Sequence, residues 1–434
     1  MKTVKKLFVC LAALSMMGLI ASCSGSGSKQ GSSASGSVRT VKNRQDAIKG
    51  GASLTPSSFT AEQLPGVPSV GAIPLKRYKI AFSNGDMADS WRAAFYNDMI
   101  SSLQYLEKTF GIEYLTANSG ADSAKQIEDI RSLLAQEPDI LIFSPNEAAP
   151  LSVVAELCED VGVPFITVDR SINATIGAGK YIANIESDNY KIGVGMGISI
   201  VEALTKKYGE PRGIVAEITG AVGASVSVYR SGGARNVLKD YPNIQIVQVL
   251  DGGYDDAMAY TAAQDIFTTN GSRLDLLFCS FDTGAGQASQ VASVMGYNNV
   301  IYVASNGNSG YLKDYLLPGK SYSVIENPPY FGVIGLEYAI HYLNGNDIPK
   351  NILQPQRQFS IETPAKKEAL QKIVDLCVKN NDPYVPGAYG YYDVFTTTGP
   401  LWDKYYPVNY IEAGGQAWLD KVNPRDPYAR WNVK

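Results

Sequence analysis

From Tyr78 onward, short apolar runs take turns with longer stretches of helical periodicity. Residues 79–82, 113–116, 140–143 and 165–168 are β-rich runs, and between them 91–106, 124–134 and 151–158 carry apolar positions at the spacing of an amphipathic helix. Apolar strands separated by such helices predict a parallel sheet wound on both faces. The alternation starts again after 181–185, with strands predicted at 214–218, 244–250, 274–279, 301–304 and 322–325. Two doubly wound parallel-sheet α/β domains are therefore expected in succession. Ligands of such sheets bind outside the carboxyl ends of the strands, so the residues that follow each strand are the candidates for function.

Both ends of the chain break this pattern. Lys2, Lys5 and Lys6 precede an apolar run over 7–20, and Ala21 and Ser22 lead into Cys23, the layout of a secretory signal. The run is short for a membrane span. Ile20-Ala21-Ser22-Cys23 resembles a bacterial lipobox, in which the cysteine is acylated and becomes the new N-terminus. An incidental cysteine is the plainer reading, but the Ser/Gly-rich stretch over 24–37 speaks against it, because it has nothing apolar to bury and reads as a tether. The expectation is a signal peptide over 1–22, lipidation at Cys23, a tether and linker over 23–75, and a globular part held by its lipid anchor outside a bacterial cytoplasmic membrane. At the far end, 381–434 holds Tyr384, Tyr389, Tyr391, Tyr392, Phe395, Trp402, Tyr405, Tyr406, Tyr410, Trp418, Tyr428 and Trp431. Disordered tails are poor in aromatics, so this extension is expected to pack on the domains.

Composition narrows the chemistry. The 434 residues carry 38 Lys+Arg against 42 Asp+Glu, a net charge of −4 that offers no broad basic field to nucleic acid or an acidic membrane. One histidine, His341, leaves no His-rich metal centre, and it sits among Leu336, Ala339, Ile340 and Leu343, where a helix-packing role is expected. Cys158, Cys279 and Cys377 stand in apolar contexts as buried small hydrophobes. Gly284-Ala285-Gly286 mimics a nucleotide loop, but Ser289 replaces the next glycine and no phosphate-binding lysine follows. Gly193, Gly195 and Gly197 fall inside a helix expected over 189–204 and read as close packing against the sheet. With no nucleophile-base-orienter set, no enzyme, metal or cofactor is expected.

The strand ends are the informative places. The first strand runs into Ser83-Asn84-Gly85-Asp86-Met87-Ala88-Asp89-Ser90, and with Ser90 as cap, Trp91 and Arg92 fall in the first helical turn at a cleft mouth. Asp169 and Arg170 follow the strand at 165–168, either as a mutual salt bridge or as a pair facing hydroxyls, since Asp accepts and Arg donates in a fixed fork. The run Thr219-Gly220-Ala221-Val222-Gly223-Ala224-Ser225 permits a tight turn and close backbone approach before Arg230.

Asp-Ser-Trp-Arg-Ala-Ala (89–94), Asp-Arg-Ser-Ile (169–172) and Gly220 through Arg230 together resemble the type I periplasmic sugar-binding proteins, and within them the galactofuranose-binding group. The resemblance spans about 78–345 in consistent order. It implies two lobes joined by a three-strand hinge, over 76–185 with 327–350 and over 186–326 with 351–380, in a monomeric solute-binding subunit that delivers a monosaccharide or derivative to ABC transporter permease subunits. Carried over by position, Trp91 covers a sugar face, Arg92, Asp169, Arg170 and Arg230 bond hydroxyls, and Tyr254, Ser144 and Asn327 fall at further contacts. Two positions depart from the family. Its Asn-Asp pair stands here as Phe281-Asp282, and the acid after the next strand is Asn306, changes that suit a deoxy, modified or less polar ligand. Two other roles share the core. A sugar-responsive repressor would need an N-terminal helix-turn-helix where the lipobox and tether stand, whereas a sugar or furanosyl-signal sensor feeding a chemoreceptor or histidine kinase would share every feature above.

Overall fold

The computed structural model describes residues 78–317, 322–329, 331–345, 347–354, 356–385 and 394–406. The signal, the tether, Cys23 and the aromatics of 386–393 and 407–434 lie outside these described residues.

The first half alternates as the pattern predicts: β1 (Lys79–Asn84), α1 (Ser90–Phe110), β2 (Glu113–Asn118), α2 (Ser123–Leu134), β3 (Ile140–Ser144), a 3-10 turn (Pro150–Val153) running into α3 (Val154–Val161), β4 (Phe165–Val168) and β5 (Tyr181–Ser187). The second continues with α4 (Asn189–Tyr208), β6 (Gly213–Thr219), α5 (Ser225–Leu238), β7 (Ile244–Asp251), α6 (Asp256–Asn270), β8 (Leu276–Cys279), α7 (Asp282–Met295), β9 (Ile301–Asn306), α8 (Ser309–Tyr315) and β10 (Tyr322–Glu326). Then α9 (Phe331–Leu343), β11 (Asn351–Gln354), β12 (Gln358–Phe359), α10 (Pro364–Asn380) and α11 (Pro400–Tyr405) complete the described chain.

Two six-stranded sheets result, ordered β11-β5-β4-β3-β1-β2 and β12-β10-β9-β8-β6-β7. Every pairing is parallel except β10 with β12, whose short antiparallel contact closes one edge. The chain passes between the sheets three times, after β5, β10 and β11. This corrects the boundary drawn from sequence: 351–354 was expected in the second lobe, but β11 pairs with β5 in the first sheet, and the crossing comes after it. Nothing in that short stretch announces which sheet edge it will extend.

Side chains of successive strand residues point to opposite faces, and the cores follow that period. Ile80, Phe82, Ile140 and Ile142 bury against α1 and α9 on one face of the first sheet, while Ala81, Leu141 and Phe143 meet α2 and α3 on the other. In the second sheet Ala216, Ile218, Leu277 and Cys279 face α6, α7 and α10, and Val215, Leu276 and Phe278 face α4, α5 and α11. Cys158, Cys279 and Cys377 are buried, and no disulfide joins them. His341 is buried on α9, 3.9 Å from Glu337 one turn earlier.

The glycines of α4 do something different from what was expected. A Cβ on Gly193 would overlap the Arg230 carbonyl, and one on Gly197 would press on Val237 and the Ala234 carbonyl. They therefore face α5, not the sheet; Gly195 alone meets a strand residue, Ile325, along with Trp402. The two helices touch nearly backbone to backbone, which fixes the level at which Arg230 leaves α5.

Part of the C-terminal extension is visible. Tyr384 is held to the second lobe by a bridge with Asn308, while Val385 N donates to Gly307 O at 3.0 Å. The Tyr384 ring, however, packs in the first lobe's core, and its hydroxyl shares a 2.8 Å hydrogen bond with Ser90.

Candidate sugar-binding cleft

The candidates converge where the sequence places them, at the carboxyl ends of the strands. A cleft of about 280 Å³ is lined by Asp89, Trp91, Arg92, Asp169, Arg170, Val226, Arg230, Tyr254, Asn306 and Asn327.

Trp91 and Arg92 occupy the first turn of α1, and Asp89 caps the helix by accepting from Arg92 N at 2.7 Å. Ser90, expected to be the cap, is the first helical residue and turns its hydroxyl to Tyr384 instead. The cap thus brings a carboxyl into the cleft wall. Burial pushes the Asp89 carboxyl up to about 7, against the opposing hydrogen bond from Arg92 N–H.

Behind this turn four charges of the first lobe close into a ring. Asp86 Oδ2 lies 3.4 Å from Arg92 Nε and 3.5 Å from Arg170 Nη1. Asp169 Oδ2 lies 3.1 Å from Arg92 Nη2 and 3.6 Å from Arg170 Nε. All four side chains are buried. Burial works to raise the Asp86 carboxyl, but the Arg92 and Arg170 guanidiniums overcome it and leave it below its ordinary value. Asp169 and Arg170 are thus ion-paired, and both line the cleft. Taking such ions out of water costs several kcal/mol each, and apolar residues of similar volume serve folding as well or better.

Neighbours hold the ring in place. Arg92 Nη1 donates to Ser144 Oγ at 2.6 Å, and its guanidinium carbon stands 5.6 Å from the Trp91 ring and 5.5 Å from that of Phe95. Arg170 donates to the Asn146 carbonyl at 3.0 Å and lies 5.5 Å over Tyr254. Trp91 stacks on Phe95 at 5.7 Å and donates through Nε1 to the Asn327 carbonyl at 2.8 Å, which ties the first lobe to the crossing after β10.

The second lobe contributes Arg230 and Tyr254. Arg230 Nε donates to Asn189 Oδ1 at 3.0 Å, and Nη1 to the Ser280 carbonyl at 2.5 Å, Ser305 Oγ at 2.7 Å and Asn306 Oδ1 at 3.1 Å. The Tyr254 ring lies on Gly220, where any Cβ would overlap it, and against Phe281 at 5.4 Å. Asp169, Tyr254 and Asn306 each take a left-handed backbone, with φ of 69°, 56° and 103°. Such conformations are costly for residues other than glycine and collect at functional sites.

Two expected residues do not line the cleft. Ser144 stands behind Arg92 as its acceptor, and Phe281 is wholly buried behind Tyr254, so it supports an aromatic face in place of providing one. Conversely, Asp86, Asp89 and Val226 were not among the candidates. The two acids lie in the polar loop after the first strand, where their sequence position was a usable signal; Val226 carried none.

A model of the periplasmic binding protein domain matches residues 80–347, well over half of the chain. The chain belongs to the periplasmic binding protein family. The binding protein is 25% identical over 277 residues to the ribose import binding protein RbsB of Bacillus subtilis, covering 64% of this chain and 87% of that one. It is 24% identical over 298 residues to the galactofuranose-binding protein YtfQ of Escherichia coli, covering 68% and 91%. Among solved structures, the periplasmic binding protein component of the arabinose ABC transporter from Shewanella sp. ANA-3 superposes with a TM-score of 0.62 at 24% identity, covering 70% of this chain and 98% of that one. The two relatives are a ribose import binding protein and a galactofuranose-binding protein, and the likeness to the solved structure shows that the fold is shared. Among the described residues no helix is long and apolar enough to cross a membrane.

Proposed function

We propose that the protein captures a monosaccharide or sugar derivative between its lobes, performs no chemistry on it, and delivers it to the permease of an ABC importer as a monomer. The observation that carries this reading is the convergence of Arg92, Asp169, Arg170 and Arg230 with Trp91 and Tyr254 on one small cleft. Guanidiniums and carboxylates in fixed positions suit the donors and acceptors of hydroxyls, and aromatic rings suit the apolar face of a sugar. The energetics are sufficient. Hydrogen bonds to charged groups contribute roughly 1.5 to 3 kcal/mol each, and micromolar binding requires about 8 kcal/mol.

Ser144 and Phe281 act in this reading by positioning Arg92 and Tyr254, while Asn306 and Asn327 supply amides to the ligand. Calorimetry of the full chain against pentoses, hexoses, furanosides and deoxysugars tests it. At least one should bind, and Asp169→Asn, which keeps a residue tolerant of the left-handed backbone, should weaken that binding about tenfold or more. Unchanged affinity would leave Asp169 a structural ion-pair partner, and no binding by any sugar would end the proposal.

The lipobox-like Ile20-Ala21-Ser22-Cys23 and the Ser/Gly tether support an anchor at Cys23 that keeps the protein on the outer side of the cytoplasmic membrane. Membrane fractionation checks this, since a Cys23→Ser chain should leave the membrane pellet. Sensing is the second reading, because the same fold is found in the fructose-binding periplasmic domain of a hybrid two-component system, with a TM-score of 0.60 and 23% identity. Sugar uptake that survives deletion of the gene would favour it over transport.

A further inference from the structure

The charges of the cleft are unevenly matched. In the first lobe Arg92 and Arg170 are each shared between Asp86 and Asp169, so that ring is balanced within itself. Arg230 in the second lobe has no such counterpart. All its hydrogen-bond partners are neutral oxygens, from Asn189, Ser280, Ser305 and Asn306, and among the described residues no carboxylate lies within ion-pair distance of it. It is 1% exposed, and its Nη2 has no hydrogen-bond partner among the described residues. A guanidinium stays charged at any physiological pH, and a buried charge without an opposite one is strongly unfavourable.

Asp169 and Asp282 favour its charged form, but only from beyond ion-pair distance. Asp282 accepts at Oδ2 from the backbone N–H of Gly307 at 2.8 Å and of Asn308 at 2.5 Å. Asn306, whose Oδ1 does reach Arg230, is an amide and also accepts from Asn327 Nδ2 at 3.2 Å. The site therefore presents a fixed cation with one donor group still open, in a cleft of about 280 Å³.

We propose that the ligand of this cleft is an acidic monosaccharide, whose carboxylate takes the open donor group of Arg230. This rests on the sugar-binding reading and narrows it. A planar carboxylate matches the guanidinium fork and forms the stronger, charge-assisted bonds. A uronic or aldonic acid adds that group to a sugar with little increase in size.

Calorimetry on the full chain with matched pairs tests the idea: galacturonate against galactose, glucuronate against glucose, and ribonate against ribose, with ribose 5-phosphate as the phosphate arm. An acid should bind about tenfold or more tightly than its neutral counterpart, the difference one charge-assisted hydrogen bond supplies. Asn306→Asp places a carboxylate beside Arg230 without changing the shape of the side chain. It should abolish that preference, so that the acid binds no more tightly than its neutral counterpart. Arg230→Gln should lower affinity for the acid more than for its neutral partner. A neutral sugar that binds more tightly than its acid overturns the inference and leaves the sugar-binding reading standing. Tight binding of the phosphate ester alone overturns the carboxylate assignment, and no binding in any arm removes both.

Discussion

At the scale of single residues, the cleft is built from side chains whose backbones are held where they would rarely go unaided. Asp169, Tyr254 and Asn306 all have positive φ and all follow or end a strand. Each such residue costs on the order of 1 to 3 kcal/mol, and it persists when its surroundings over-determine it. For Tyr254 those surroundings are Gly220 beneath the ring and Phe281 beside it. Gly220→Ala should therefore displace the ring and weaken sugar binding as much as Tyr254→Ala does, and the double variant should bind no worse than Tyr254→Ala alone. Calorimetry on the three variants checks this, and additive losses would separate the two roles. Trp91, Arg92, Asp169 and Arg170 were legible because each follows a strand or opens a helix near one, and Arg230 because it stands within two turns of such a helix start. Ser144 and Phe281 were legible as neighbours of the site but not by role, because a one-dimensional pattern locates a strand end without saying which side chain points outward and which lies behind it.

At the scale of elements, periodicity located the wound sheets well, the edge strands β2 and β7 included, but not the short β11 and β12. The central strands are buried on both faces and read as continuous apolar runs, whereas β11 and β12 are short edge strands with no such signature. The same limit applies to α11. Six residues are too few for a helix to hold itself in water, where about 12 to 15 are marginal. Tertiary contacts supply the difference. Trp402 and Tyr405 bury in the second sheet's core, Trp402 Nε1 donates to Gln358 Oε1 at 3.1 Å, and Tyr405 Oη donates to Asp240 at 2.8 Å. Trp402→Ala should cost about 3 to 5 kcal/mol in urea unfolding, the range for removing a buried tryptophan. A loss under about 0.5 kcal/mol, as surface substitutions give, would show the extension to be a passive attachment.

At the scale of the whole molecule, buried carboxyls set how stability depends on pH. Glu186 lies on β5 at the first crossing, and burial pushes its carboxyl from 4.5 to about 8, against a hydrogen bond from Asn184 Nδ2 at 2.9 Å. Between those values the folded protein keeps a proton that the unfolded chain has released. The contribution of this group is therefore greatest below about pH 4.5 and is lost as pH rises toward 8. Glu186→Gln mimics the protonated form, so its stability advantage over the parent protein should grow from pH 5 to pH 8, by roughly 1.4 kcal/mol for each step of one in pH. Thermal unfolding across that range checks it, and a constant difference in Tm would mean the carboxyl is already ionised in the fold. Asp89 and Asp282, each raised to about 7 by burial, add to the same slope.

Tyr384 also belongs to this scale. Its backbone is fixed to one lobe and its ring is seated in the other, beside the helix turn that carries Trp91. Parting the lobes about the three crossings means drawing that ring out of its seat. The arrangement with the lobes together is thus supported by a contact that needs no ligand. Apparent affinity is the intrinsic affinity scaled by the fraction of molecules already competent to bind. In the proposed role, a chain with this ring in place would start with more of its population with the lobes together, so each sugar contact would go further toward retention, and release would wait on the ring as well as on the sugar.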